Sequence, residues 1–123
     1  MARSVLIQLA RDSIAEVLEA QRTIDKKTLL EQHPLLNQKI QTQINLYLNK
    51  KLRGSSKSDI ASHSLLEDII RHAKKSAFED KNFKAISTSE YLNCEIEILL
   101  TTNDGIISEI DKAILEDFKE TNF

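Results

Sequence analysis

The sequence predicts an α+β fold, an antiparallel sheet with helices packed on it, and three observations predict it. Ile44, Leu46 and Leu48 alternate with Asn45, Tyr47 and Asn49, a period of two that places the aliphatic side chains on one face of a half-buried strand. Cys94, Ile96, Ile98 and Leu100 alternate with Glu95, Glu97 and Leu99 in the same way. Elsewhere apolar residues recur at i, i+3 and i+4, the spacing of amphipathic helices. One-sided strands and one-sided helices require each other's cover.

In chain order, Val5, Leu6, Leu9, Ala10, Ile14, Val17 and Leu18 form the apolar stripe of a helix over residues 3–21. Periodicity weakens over residues 22–39. Asp25 can cap a short helical piece carrying Leu29 and Leu30, and Pro34 pushes His33 towards an extended backbone, so that piece ends before it. The strand at residues 44–49 turns at Lys50-Lys51, and Leu52-Arg53-Gly54 begins the return of a hairpin. Ser55-Ser56-Lys57-Ser58-Asp59 is a polar loop. Ser64 with Glu67 three residues on has capping-box spacing and opens a helix over residues 64–79, with Leu65, Leu66, Ile69, Ile70 and Ala73 inward. A connecting loop over residues 81–90 tucks in Phe83 and Ile86, and the second strand covers residues 94–100. Thr101-Thr102-Asn103-Asp104-Gly105 is a turn. Ser108 with Asp111 can cap a last helix over residues 109–120 carrying Ile110, Ala113, Ile114 and Phe118.

At 123 residues the chain suits one domain, residues 1–123, which buries about two thirds of its unfolded surface without disulfides or metal. A formal net charge of -2 argues against a nucleic-acid binder. The single cysteine, Cys94, offers no internal disulfide and fits a small buried apolar role in a reducing compartment. The opening residues are broken by Gln8, Arg11 and Asp12 and lack the apolar core of a signal peptide, while no run reaches the ~18 apolar residues of a spanning helix. A cytoplasmic protein with no membrane role is expected.

Few residue patterns suggest chemistry. The polar loop has too few glycines to cradle phosphate. His33, His63 and His72 do not make a metal site: on a helix turning about 100° per residue, positions 63 and 72 would face opposite sides. Glu95 and Glu97 share a strand face but read as solvated, and no catalytic residue, metal or cofactor is expected. Arg71, Lys74 and Lys75 could join Lys50, Lys51, Arg53 and Lys57 as an anion-binding patch. Between Asp104 and Glu120 six acids face two lysines, an acidic end opposite that basic one.

These stretches carry a resemblance. Leu9-Ala10-Arg11-Asp12-Ser13-Ile14, then Leu52-Arg53-Gly54-Ser55, then Leu65-Leu66-Glu67-Asp68-Ile69-Ile70 and Lys75-Ser76-Ala77-Phe78-Glu79-Asp80-Lys81-Asn82-Phe83, and last Tyr91 through Leu100, resemble in order and spacing the AMMECR domain family. The likeness is strongest over residues 44–100. In that family a strand ends in Leu-Arg-Gly-Cys-Ile-Gly, a helix ends in Ala-Ala-Phe-x-Asp-x-Arg-Phe, and a Leu-x-x-Leu-x-Ile-Glu-Val-type strand follows. The resemblance implies an antiparallel sheet with helices, plus a smaller subdomain whose junction lies near the Leu-Arg-Gly motif. It also implies a pathway shared with a Memo-type and a radical-SAM protein, the AmmeMemoRadiSam system. Here Ser55-Ser56-Lys57 stand where the family has Cys-Ile-Gly, so no thiol role passes to Ser55. The family's C-terminal portion is missing after the Glu-Ile-Glu strand, and the acidic helix stands in its place.

Two function classes follow. One is a non-catalytic binding or assembly module, since caps, stripes and strand alternation account for nearly every residue. The other is a small-molecule or anion-binding enzyme that uses Leu52, Arg53, Gly54, Ser55 and Ser56, with Arg53 as the fork for carboxylate or phosphate. Convergence of Arg53, Ser55 and Glu95 or Glu97 in one pocket would favour the second, and a flat exposed Arg53 would disfavour it. A protein partner or a homo-oligomer is expected, weakened by salt if the acidic and basic ends take part.

Overall fold

A computed structural model of the chain describes residues 3–114. Helix α1, Val5–Leu18, is capped by Ser4, whose Oγ accepts from the Ile7 N–H, and buries Ile7, Leu9, Ala10 and Ile14. It ends with Ala20 in the left-handed region at φ 51°, where the Gln21 N–H reaches the Glu16 carbonyl and the Ala20 N–H the Val17 carbonyl. Those two bonds satisfy helix-end carbonyls that would otherwise lack donors. Asp25 caps α2, Lys26–Gln32, through the Thr28 N–H, and Pro34 opens a 3₁₀ turn, Pro34–Asn37, that buries Leu36.

Strand β1, Gln41–Leu48, and β2, Lys51–Lys57, form the expected hairpin. Its turn is Asn49-Lys50, one residue earlier than expected, with φ of 54° and 65°. Two consecutive left-handed residues make the turn whose twist matches that of the strands. Helix α3, Leu65–Phe78, starts at the predicted Ser64 cap. Next come α4, Thr88–Leu92, β3, Cys94–Thr102, and β4, Gly105–Asp111. The sheet is antiparallel throughout, in the order β2-β1-β3-β4.

Register places Ile44 opposite Ile98 and Leu46 opposite Ile96. All four are fully buried beside Leu65, Leu66, Ile69 and Ala73, so the strand and helix periodicities read in the sequence meet in one core. Cys94 sits in that core as expected, and burial pushes its thiol pKa up to about 11. Arg11 is buried too. It donates from Nε to Asp111 Oδ2 at 2.8 Å and from Nη2 to the carbonyls of Cys94 and Lys112, while Tyr91 lies under its guanidinium. A buried charge is tolerable only when paired in this way, and the pairing ties α1 to the far ends of β3 and β4.

Several expectations are corrected. Ser55, Ser56 and Lys57 end β2 rather than lie in a loop, and Thr101, Thr102 and Gly105 are strand residues around a two-residue turn. Residues 109–111 belong to β4 rather than to a helix over 109–120, and Ser108 is a strand residue, not a cap. Ile110, Ala113 and Ile114 stand at i, i+3 and i+4, which imitates a helical stripe, whereas Ile110 lies on an edge strand that can carry apolar residues on both faces. Ala113 is buried and Ile114 packs on the core; Phe118 and the rest of the expected helix lie outside the described residues. The expected loop over residues 81–90 contains the start of α4, opened by a capping box in which Ser87 and Glu90 bond each other's backbone N–H. Among the described residues no helix is long and apolar enough to cross a membrane.

Candidate functional site

The hairpin delivers the Leu-Arg-Gly residues with an irregularity. Leu46 pairs with Gly54 but Tyr47 with Leu52, so Arg53 is an extra residue in β2. A bulge of this kind bends the strand and re-aims a side chain. Arg53 turns across the outer edge of β2 to α4, donating from Nε to Glu90 Oε2 at 2.9 Å and from Nη2 to Glu90 Oε1 at 3.1 Å and the Lys84 carbonyl at 2.8 Å. The Phe83 ring lies under the guanidinium. These bonds raise the pKa of Arg53 and, with the Ser87 N–H, lower that of Glu90. The bidentate pair is the strong form of this interaction.

Gly54 is required for a steric reason. A Cβ there would stand 2.0 Å from the Ser76 carbonyl oxygen, so only glycine lets α3 lie this close to β2. The Ser55 N–H donates to Asp80 Oδ2 at 3.0 Å, and Ser55 Oγ donates to Asn45 Oδ1 at 2.6 Å. Asn45 Nδ2 and Tyr47 Oη both donate to Glu97 Oε1 at 2.9 Å, and the bond to that carboxylate raises the pKa of Tyr47. Leu52 is 47% exposed and joins none of this.

Ser56 points the other way, towards α3, with Oγ 2.7 Å from His72 Nδ1. Burial lowers the pKa of His72, against the opposing pull of Asp68. Asp68, one helical turn earlier, is 1% exposed and neither carboxylate oxygen has a hydrogen-bond partner. His63 Nδ1 lies 3.9 Å from Asp68 Oδ1. Because α3 starts at Leu65, His63 is not on the helix, so the angular argument that separates it from His72 does not apply; both stand near Asp68. Among the described residues no group of three His, Cys, Asp or Glu side chains is arranged to hold a metal ion.

The predicted site residues therefore divide three ways. Arg53 is drawn to α4, Ser55 joins Glu97 through Asn45, and Ser56 joins His72; among the described residues Arg53 makes no hydrogen bond or ion pair with Glu95 or Glu97. The expected basic patch is dispersed as well: Lys74 pairs with Glu16 at 3.2 Å, and Arg71 lies against the His63 ring. A groove of about 950 Å³ lies elsewhere, between the end of α1 and α3, and includes Glu16, Val17, Ile24, Ile70 and Lys74. Both of its carboxylates are already committed, since Glu16 accepts from Thr23, Ile24 and Lys74 and Asp25 from Thr28. Sequence reasoning missed Asp80, Glu90 and His72 as partners of the motif. Only Glu90 carried a local signal, its capping-box spacing from Ser87.

With this geometry in view, comparison with known proteins gives consistent findings. A model of the AMMECR1 family matches residues 7–117. The crystal structure of an uncharacterised protein from Pyrococcus horikoshii is similar at a TM-score of 0.68 and 28% sequence identity, over 79% of this chain and 49% of that one. The chain thus spans about half the length of that solved relative. No curated protein matches.

Proposed function

Because the chain belongs to the AMMECR1 family, we propose that it is a non-catalytic binding or assembly module, working in a pathway with Memo-type and radical-SAM proteins. One observation carries the reading: every member of the Arg53-Gly54-Ser55-Ser56 run is already engaged within the fold. Arg53 is held by Glu90 and Lys84, Gly54 lies against Ser76, Ser55 is bonded to Asn45 and Asp80, and Ser56 contacts His72. Glu90 and Lys84 take the Nε and Nη2 donors of Arg53 and its Nη1 is buried, so an incoming carboxylate or phosphate must displace that pair to gain a bidentate grip. A serine nucleophile also needs a base and an accessible attack position, and His72, the base within reach of Ser56, is itself buried.

The test is a titration of isotope-labelled protein with inorganic phosphate and with acetate, followed at the amides of Arg53, Ser55 and Ser56. The module reading expects no saturable shift. Saturable perturbation of these amides by either anion would overturn it in favour of an anion-binding site at Leu52-Arg53-Gly54-Ser55-Ser56.

A further inference from the structure

We infer that the outer edge of β4 is a docking strand for a second copy of this chain, joining two sheets into one continuous antiparallel sheet across a twofold axis. The inference rests on the module reading and supplies its partner. Register shows why the edge is available. Thr102 and Gly105 flank the two-residue turn, so they are a hydrogen-bonded pair, and such pairs alternate with unbonded ones along the ladder. Ile106, Ser108 and Ile110, opposite Thr101, Leu99 and Glu97, are the unbonded set, and their N–H and C=O groups point away from β3. Among the described residues no hydrogen bond reaches those groups. Ile106, Ile107 and Ile110 are 68%, 59% and 62% exposed.

The sequence of β4 is self-complementary about Ser108. With Ser108 opposite its own copy, the outward N–H and C=O groups of Ile106, Ser108 and Ile110 meet those of Ile110, Ser108 and Ile106 of the second copy. Ile106 then faces Ile110 across the axis on one side of the sheet, a β-branched pair of the kind that stabilises cross-strand contacts. The two acids cause no conflict. Glu109 faces Ile107 of the second copy and Asp111 faces Gly105, so no carboxylate opposes a carboxylate. Each acid is also engaged at home, Glu109 with Ser4 and Asp111 with Arg3 and Arg11. Of the usual defences of an exposed edge, a lysine, a proline and a bulge are absent from Gly105–Asp111, and the two charges it does carry, Glu109 and Asp111, are held by Ser4, Arg3 and Arg11.

The experiment is sedimentation equilibrium up to high micromolar concentration, at low and high salt, on the wild-type chain and on Ser108→Pro and Ile106→Lys. The proline removes only an outward N–H, so the ladder with β3 survives, and unchanged circular dichroism checks that the fold does too. A dimer is expected in the wild type at both salt concentrations, weakened about tenfold or more by Ser108→Pro because both symmetry-related donors are lost at once. Exchange of the Ile106, Ser108 and Ile110 amides should slow as protein concentration rises. A strict monomer, a dimer indifferent to both substitutions, a dimer dissolved by salt, or protection of these amides only by a foreign protein would each overturn the inference. None of these results touches the module reading, which stands or falls on the anion titration.

Discussion

The outer edge of β2 is met from outside: Asp80 takes the Ser55 N–H, and the bulged Arg53 crosses the edge to clasp Glu90 and the Lys84 carbonyl. Along the outer edge of β4 three isoleucines stand in solvent, and the acids of that strand turn inward to Ser4, Arg3 and Arg11. One sheet thus ends in two ways. The charged residues that look most like a ligand site in the sequence close an edge, and the edge they leave open is the one that exposes Ile106, Ile107 and Ile110. In this chain the charge at the Leu-Arg-Gly hairpin closes an edge, while the open edge carries exposed aliphatic residues.

The contrast is sharpest at Gly54. Gly54→Ala would force α3 and β2 apart, since its Cβ would meet the Ser76 carbonyl oxygen at 2.0 Å; a loss of about 3 kcal/mol or more in urea unfolding is expected. Arg53→Met keeps much of the side-chain volume but leaves Glu90 without its partner, at an expected cost of about 2 kcal/mol. A variant as stable as the wild type would show that the clasp does not hold the edge.

A smaller effect comes through His72 beneath β2. Burial holds its pKa below the ordinary 6.5, so as pH falls through 6.5 the unfolded chain takes up the proton before the folded chain does. Stability is therefore full above about pH 6.5 and is lost as pH falls from there through the lowered folded value. Denaturant midpoints measured across this range should fall on acidification, and His72→Gln should flatten that part of the curve. The smallest effect is expected on the other edge. Ile106→Thr should change monomer stability by no more than about 0.5 kcal/mol, as for a surface site without special contacts. A loss comparable with that of Arg53→Met would mean that β4 supports the fold and not a contact.

How much of this was legible depends on where burial acts. The strands around Ile44 and Ile96 were readable because one face of each is fully buried, which enforces alternation. Only the first part of β2 was readable, because Ser55, Ser56 and Lys57 owe their strand conformation to pairing with β1 and to Asp80, a residue 25 positions away. β4 imitated a helix because solvent imposes no alternation on an exposed edge. The motif itself was visible through its resemblance to the family. Its partner Glu90 lies 37 residues from Arg53, and no local pattern announces a pairing across that distance.

The clasp also determines which part of the chain lets go first. Helix α4 has five residues, far fewer than the ~12–15 at which an isolated helix becomes even marginal in water. Its capping box and the grip of Arg53 on Glu90 and Lys84 supply much of what its own length does not. Residues 80–93 are therefore expected to open as a small cooperative unit before the central strands do. In native-state hydrogen exchange, the Tyr91 and Asn93 amides, bonded to the Ser87 and Glu90 carbonyls, should exchange together at a lower opening free energy than the amides of β1, and should merge with the fastest-exchanging amides once Arg53 is replaced.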